Sequence, residues 1–411
     1  MRILFLSPYV PLPPDFGGAM RIYNLLKGLS QYHEVTLLTF GEKDKLELLN
    51  ANTGSLYKDF HLVKPTWAWR FRRLAQLFAL FTTKSFFSLF TKSKEMQNKI
   101  NEILSLQDFD LIQMEFPIMA CFHFKTDAIK ILDEHNIEYD NFYRMWKRTK
   151  SPLIKLHYKR EFIKSQKEEI DVCRKMDVIL TVSEKDKSIL QKQTPCIPKF
   201  IIPNGVDTEY FKPSLNKIEP YSMVFTGMMA YVPNHDGINY FLDEIFPLIL
   251  KDIPGAKIYI VGSRPPKSLV KRSSKNIIIT GYVPDVRTYV WRASLYIVPL
   301  RMGGGTRLKV LEALAMKKTV VSTTIGCEGI DVADNESVLI ADDPKEFANK
   351  SVRMLKNPDL GIHLATRGSN IIHSKYSWEI VSRKLEQAIQ NVLYEKTAEA
   401  RNPNMLIERT G

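Results

Sequence analysis

The sequence predicts an α/β protein built from two parallel-sheet domains, and three observations carry the prediction. Near the start, an apolar run at residues 2–6 leads into a long loop, a helix carrying Arg21, Tyr23, Leu25 and Leu26, and a second apolar run at 33–39. Strand, loop, helix, strand is the repeat of a parallel sheet. The same alternation restarts near residue 215 and continues to residue 341. At 411 residues, with 45% apolar and 25% charged residues, the chain has the length and composition of two ordinary soluble domains.

Composition narrows the class further. Cys121, Cys173, Cys196 and Cys327 are scattered without metal-ligand spacing, so a zinc site or disulfide framework is not expected, and a reducing cytoplasm fits. The start, MRILFLSPYV, has neither the length nor the cleavage site of a signal peptide and reads as a first strand. The net charge of +13 admits a phosphorylated substrate, an anionic membrane or a nucleic acid. No zinc finger or RNA-binding signature is present, so nucleic acid is not expected as a partner.

In the first domain, the loop after residue 6 holds four prolines and then Gly17 and Gly18, which open the helix. That loop leaves the carboxyl end of a strand, where open α/β sheets bind ligands. Residues 67–90 mix Trp67, Trp69, Phe71, Phe78, Phe81, Phe86, Phe87 and Phe90 with Arg70, Arg72, Arg73 and Lys84. Such a basic aromatic segment suits an anionic membrane surface, and a buried helix pair with solvated flanks is the alternative. Asp108-Phe109-Asp110 is formally a DxD, but it precedes a strand and reads as a turn. A strand at 129–133 ends in Glu134-His135-Asn136, which places His135 at a strand end. Residues 141–175 are basic and helical, with Trp146, Tyr158 and Phe162 as packing residues. Ser183 is placed to cap a helix after the strand at 177–182. A strand at 199–203 ends in the turn Asn204-Gly205.

In the second domain, strands are expected at 222–226, 256–261, 277–281, 296–300, 319–322 and 338–341. Residues 296–323 (YIVPLRMGGGTRLKVLEALAMKKTVVST) carry the strongest chemical signal. Gly303, Gly304 and Gly305 let a ligand approach the backbone. Thr306 is placed to cap the helix that follows, whose first amides suit phosphate. Arg307 and Lys309 add cations at that end, and Glu312, further along, can accept from two ribose hydroxyls. A lone triple glycine reads better as a tight turn with a solvated basic face; the combination with Arg307, Lys309 and Glu312 reverses that and favours an anion site.

This stretch resembles the donor-nucleotide site of the retaining glycosyltransferases of family 4, and the likeness extends over nearly the whole chain. The resemblance implies the GT-B fold: two Rossmann-like domains facing across a cleft, with a C-terminal helix crossing back to the N-terminal domain. It sets residues 1–205 as the acceptor domain, 206–375 as the nucleotide-sugar domain, 376–395 as the crossing helix and 396–411 as a disordered tail. It places the ribose on Glu312, the donor phosphates on Gly17, Gly18, Thr306, Arg307 and Lys309, and the sugar on the amides of Gly303, Gly304 and Gly305. Gly227 is expected to allow close approach of the nucleotide, and the backbone at Tyr282 and Val283 to read the base. His135 matches the family position near donor sugar and acceptor, and is the expected catalytic residue.

Two departures stand out. The family has two glutamates flanking seven residues; the second falls on Glu312, and Gly304 stands in place of the first. The cation that follows the family's first strand of this domain is missing too, with Asn234-His235-Asp236-Gly237 in its place. The implied partners are a nucleotide-diphosphate sugar and a glycan or lipid-linked acceptor, with no metal, at the cytoplasmic side of a membrane. A non-catalytic nucleotide-sugar-binding or assembly protein of the same fold is the rival reading. A dinucleotide-dependent dehydrogenase is not favoured, since no GxGxxG follows the first strand.

Overall fold

The inner strands are short runs of Ile, Val, Leu and Phe buried on both faces, as parallel strands covered by helices must be, while the edge strands at 59–63 and 277–281 are largely half-buried. The computed structural model describes residues 1–66, 71, 74, 79, 82–91, 93–149, 151–215 and 217–401. In the first unit, β1 (Arg2–Ser7), β2 (Glu34–Phe40), β3 (Asp59–Val63), β4 (Leu111–Glu115), β5 (Ile129–Glu134), β6 (Val178–Thr181) and β7 (Lys199–Ile201) form one sheet. Its order is β3-β2-β1-β4-β5-β6-β7, and every pair is parallel. In the second, β8 (Glu219–Thr226), β9 (Lys257–Val261), β10 (Ile277–Gly281), β11 (Ala293–Val298), β12 (Val320–Ser322) and β13 (Leu339–Ile340) run in the order β10-β9-β8-β11-β12-β13. These pairs are parallel as well. The fold is thus two parallel-sheet α/β domains.

The chain divides after Pro203 and again after Trp378, and the segment from Glu379 belongs to the first unit. There Val381, Leu385 and Ile389 are buried, and the Glu386 carboxylate lies 2.7 Å from Nε2 of His33. In the second unit a Cβ on Gly205 would fall 2.5 Å from the Trp378 ring, so glycine is what lets that indole pack on the turn. The final helix runs Trp378–Arg401, past the expected end at 395. The continuation is rich in Glu, Lys and Ala, good helix formers that override the tail reading. Residues 402–411 lie outside the described residues.

Each sheet has one place where the strand order reverses. In the first, β1 is flanked by β2 and β4; in the second, β8 is flanked by β9 and β11. Crossovers leave such a pair in opposite directions, which opens a crevice at their carboxyl ends, the usual ligand position in doubly wound sheets. The topology alone therefore points at the loops after β1 and β4, and at those after β8 and β11.

Some local expectations change. β3 was not anticipated. Residues 141–175 form two helices, Glu138–Arg148 and Pro152–Cys173, because Pro152 restarts the chain at a helix N-terminus. Residues 67–70, 72, 73, 75–78, 80 and 81 of the basic aromatic segment lie outside the described residues. Its described end packs inward: Ala79 and Phe86 are buried, and the amides of Ser85 and Phe86 donate to Glu168 and Glu161 of the helix Pro152–Cys173. Among the described residues no helix is long and apolar enough to cross a membrane. The DxD carboxylate of Asp110 accepts the amide of Arg2 at 2.7 Å, at the amino end of β4 and away from the crevice. Ser183 caps the helix Glu184–Gln191 as expected, accepting from the amide of Asp186.

At the reversal in the second sheet, backbones pack directly. The amide of Gly227 donates to Val261, that of Gly262 to Gly281, and a Cβ on Gly262 would lie 1.9 Å from the Gly227 carbonyl oxygen. Gly262 also has φ of +145°, open only to glycine. Gly262→Ala is therefore expected to cost about 1–3 kcal/mol, whereas Gly255→Ala, where a Cβ meets nothing within 4 Å, leaves stability nearly unchanged. Thermal unfolding of the two variants side by side checks this; equal midpoints would refute the packing argument.

Candidate functional site

In the first unit, the ends of β1, β4 and β5 bring together Tyr9, Gly18, Arg21, Glu115, Phe116, Asp133 and His135. Arg21, one turn into the helix Gly17–Leu29, is buried and grips Asp133 with two bonds, Nε to Oδ2 at 2.8 Å and Nη2 to Oδ1 at 2.7 Å. Its Nη1 donates to the Pro203 carbonyl at 3.0 Å. Gly18 is needed where it stands: a Cβ there would meet the Tyr9 hydroxyl at 2.2 Å. Gly17 is the first residue of that helix and exposed. Phe116 has φ of +68°, unusual for a bulky residue, pinned by its amide bond to the Asp133 carbonyl. Its ring lies 3.8 Å from that of His135, centroid to centroid.

His135 is buried, with Nε2 2.7 Å from Oε2 of Glu115 and 3.5 Å from Oδ2 of Asp133. Burial pushes the imidazole down to about 3, so the ring is neutral. Burial pushes the Glu115 carboxyl up to about 7, against a bond from Gln113 and the charge of Arg21. Burial also raises Asp133, with Arg21 pulling it back. Above pH 7, with Glu115 ionised, Nε2 carries the proton and donates to it; Nδ1 is then a lone-pair acceptor. Below that pH a protonated Glu115 donates to Nε2 and Nδ1 carries the hydrogen. Glu115, Asp133 and His135 have ligand atoms within 4.8 Å of one another, a spacing open to a metal ion. However, both oxygens of Asp133 and one of Glu115 are already committed to Arg21 and Gln113.

In the second unit, Lys309 occupies the crevice. Nζ donates to Asn234 Oδ1 at 2.8 Å, sits 4.1 Å from the Phe225 ring centre, and would lie 3.0 Å from a Cβ on Gly227. Asn234 in turn donates to the Met228 carbonyl, so its amide is fixed as an acceptor toward the lysine. Asn234 lies within the helix Val232–Tyr240 and not at its cap. Burial lowers Lys309 to about 7, with Arg307 adding to the fall and Glu312 opposing it. Burial raises Glu312 to about 7, and Lys309 opposes that rise. Asp236 pairs with Arg301 at 2.7 Å, and Arg301 stacks on Tyr240.

The glycine loop is held by Arg307, whose Nη1 donates to the carbonyls of Gly304 and Gly305. Gly303 and Gly305 take φ of +123° and +66°, conformations that favour glycine. The helix begins one residue later than expected: it spans Leu308–Ala315 with Arg307 as N-cap and no side-chain cap bond. Thr306 is therefore not the cap; its hydroxyl is buried without a hydrogen-bond partner. Tyr282 is 77% exposed, and Val283 packs on the core. Arg21, Glu115, Phe116, Asp133, Arg301 and Gly262 joined the two sites unannounced. Arg21 had a signal, a cation one turn inside a glycine-led helix; the left-handed Phe116 had none.

Known proteins match this arrangement. Residues 17–210 match Glycosyltransferase Family 4, and residues 220–357 match Glycosyl transferases group 1. A 44.6 kDa protein in the cps region of Klebsiella pneumoniae is 23% identical over 91% of this chain and 96% of its own length. The lipopolysaccharide core biosynthesis mannosyltransferase LpcC of Rhizobium leguminosarum bv. viciae is 22% identical over 46% of this chain, and the match spans 58% of that protein. Among solved structures, TarM superposes with a TM-score of 0.70 at 14% identity, covering 95% of this chain and 98% of its own. Anabaena HepE in complex with UDP gives 0.68 at 12%, covering 95% and 100%. Sucrose-phosphate synthase of Thermosynechococcus elongatus gives 0.68 at 15%, covering 96% and 100%. These likenesses establish the GT-B fold.

The Arg21–Asp133 pair carries its own test. Asp133→Ala leaves a guanidinium buried and unpaired, with an expected cost of about 3–5 kcal/mol. Replacing both partners, Arg21→Met with Asp133→Leu, removes the charge along with its partner and is expected to recover most of that loss. Urea unfolding of the three proteins decides it: a double variant no better than Asp133→Ala would show that the pair is not the source of the cost.

Proposed function

Because the chain belongs to the family-4, group-1 glycosyltransferases, we propose that it moves a sugar from a nucleoside diphosphate donor to an acceptor hydroxyl with retention of configuration. The acceptor is a glycan or lipid-linked glycan of a cell-surface polysaccharide or glycolipid, met at the cytoplasmic face of a membrane. The names of two relatives, one from a cps region and one a lipopolysaccharide core mannosyltransferase, support that setting. HepE and TarM structures carrying UDP support a diphosphate donor.

One observation carries the reading: a half-buried lysine with a depressed pKa, aimed by Asn234 at the crevice beside Gly227 and the amide end of the helix Leu308–Ala315. A desolvated cation beside free helix amides is poorly satisfied until an anion arrives. A diphosphate supplies that anion, and the same groups stabilise the charge that grows on it as the sugar leaves. Arg307 holds the glycine loop to the sugar and adds charge to the phosphates. Glu312, one turn deeper, accepts from the ribose hydroxyls when ionised. The family resemblance assigns Gly17 and Gly18 to the donor phosphates, and the backbone at Tyr282 and Val283 to the base.

His135 presents Nδ1 to a hydroxyl of donor sugar or acceptor. With Glu115 ionised, that nitrogen accepts a hydrogen bond. Glu115 and Asp133 are buried and engaged, so neither is a ready nucleophile; attack on the same face as the leaving diphosphate fits better than a covalent intermediate. The cations of the second unit take the part a metal would otherwise play, so EDTA is expected to leave transfer unchanged.

A thermal-shift panel of UDP, GDP, ADP and CMP tests the donor site. One nucleotide is expected to raise the midpoint by mass action, with Lys309→Met weakening its binding by about ten- to a hundredfold. Glu312→Ala is expected to weaken it too. No shift with any nucleotide would overturn the donor-site assignment and favour an assembly role, and proton NMR of the product's anomeric signal tests retention.

Binding should also move a proton. Lys309 titrates near pH 7 when free and is mostly neutral at pH 8. An adjacent diphosphate favours its charged form, so at pH 8 the complex takes up protons, and affinity falls as pH rises further. Calorimetry in buffers of different ionisation enthalpy measures this; equal heats, or uptake that persists in Lys309→Met, would assign the anion to another group.

A further inference from the structure

The helices Glu138–Arg148 and Pro152–Cys173 of the first unit form a hairpin with a buried root and a bare tip. At the root, the Glu169 carboxylate accepts the amides of Glu138 and Tyr139, both at 3.2 Å. Midway, Phe162 packs against Tyr143 and stacks on Trp146, and Glu161 and Lys164 engage the segment at 79–86. Beyond that, residues 151–156 of the second helix are all exposed. Leu153 is 82% exposed and Leu156 57%, with Ile154 beside them and Ile163 one stripe further along. Leu153, Leu156 and Ile163 share one helix face by spacing, so this is an apolar edge and not scattered single residues.

Around that edge the charge is of one sign. Residues 141–160 contain seven Lys and Arg and no Asp or Glu. Lys147, Lys155, Lys159 and Arg160 are exposed, and Lys147 and Lys159 lie 4.7 and 5.6 Å from the Trp146 ring centre. A solvated hairpin tip needs cations but not leucines. A nucleic acid would use the cations through its phosphates and leave the leucines in water. An anionic bilayer uses both: the apolar residues enter the boundary between headgroups and acyl chains while the cations meet lipid phosphates.

We propose that the hairpin tip at residues 147–160 seats the protein on an anionic lipid surface. The proposal does not depend on sugar transfer and holds or fails by itself. No single feature of the tip would suffice: a myristoyl-sized apolar contact binds marginally alone, and so does a small basic patch.

Full-length protein floated with phosphatidylcholine vesicles, with and without phosphatidylglycerol, tests it. Binding is expected only to the anionic vesicles and to weaken at high salt. Leu153→Ser with Leu156→Ser, and separately Lys155→Glu with Lys159→Glu, are each expected to weaken it about tenfold or more. These side chains are exposed, and an unchanged thermal midpoint confirms folding in each variant. Absence of binding to anionic vesicles overturns the proposal. So does binding that neither pair alters, or that only the charge reversal alters, which would mark a polyanion or protein site instead.

Discussion

The first unit is arranged around a buried guanidinium. Desolvating Arg21 and Asp133 costs several kcal/mol for each ion, and only a geometry that satisfies both makes such a pair tolerable. Here Asp133 takes two bonds and the Pro203 carbonyl a third. That requirement fixes the helix Gly17–Leu29 against β5 and against Pro203, where the chain leaves the unit for the first time. It therefore fixes where Gly17 and Gly18 begin, and where Tyr9 must lie to clear Gly18. It also sets the charge of the cluster. With Arg21 positive and Asp133 negative, a single proton is left to distribute between Glu115 and His135, and Nε2 of the imidazole is the place where they meet.

The second unit solves the same topological problem with the opposite electrostatics. Its reversal point holds a buried lysine whose direct partners are neutral. Lys309 rests on a neutral amide and an aromatic face, and its pKa falls because the folded chain provides less stabilisation than water did. Glu312 is displaced the other way for the same reason. Groups perturbed by burial at a crevice are costly in the free protein, and a ligand that restores their charge recovers that cost as affinity. The first unit thus pairs its buried charges internally, whereas the second rests Lys309 on neutral partners.

Periodicity and turn chemistry made the fold legible. Apolar runs located twelve of the strands, and β3 escaped because His61 interrupts its apolar pattern. Pro152 was visible as a helix start, yet a continuous basic composition on either side hid the break. At the site, Lys309 and Glu312 were readable from their place in one helix. The partner of Lys309 was not, since Asn234 is distant in sequence. Phe116 in a left-handed conformation has no sequence signature, because nothing in its residue type requires it. Thr306 was assigned the cap on residue preference; the chain instead spends that turn on Arg307 and leaves the threonine hydroxyl buried.

The glycine at 304, where related enzymes have a glutamate, changes the polarity of the loop rather than merely deleting a contact. Nη1 of Arg307 draws in the carbonyls of Gly304 and Gly305. In a planar trans peptide the N–H points opposite to its own C=O. The amides of Gly305 and Thr306 are thus turned away from the arginine, as a pair of donors. A glutamate side chain offers only acceptors when ionised; this loop turns out donors instead. The positive φ at Gly303 and Gly305 is what the chain needs to hold both carbonyls on one side, and any side chain at those positions would oppose it. The triple glycine and Arg307 are then a single device, and the missing carboxylate is a consequence of choosing it.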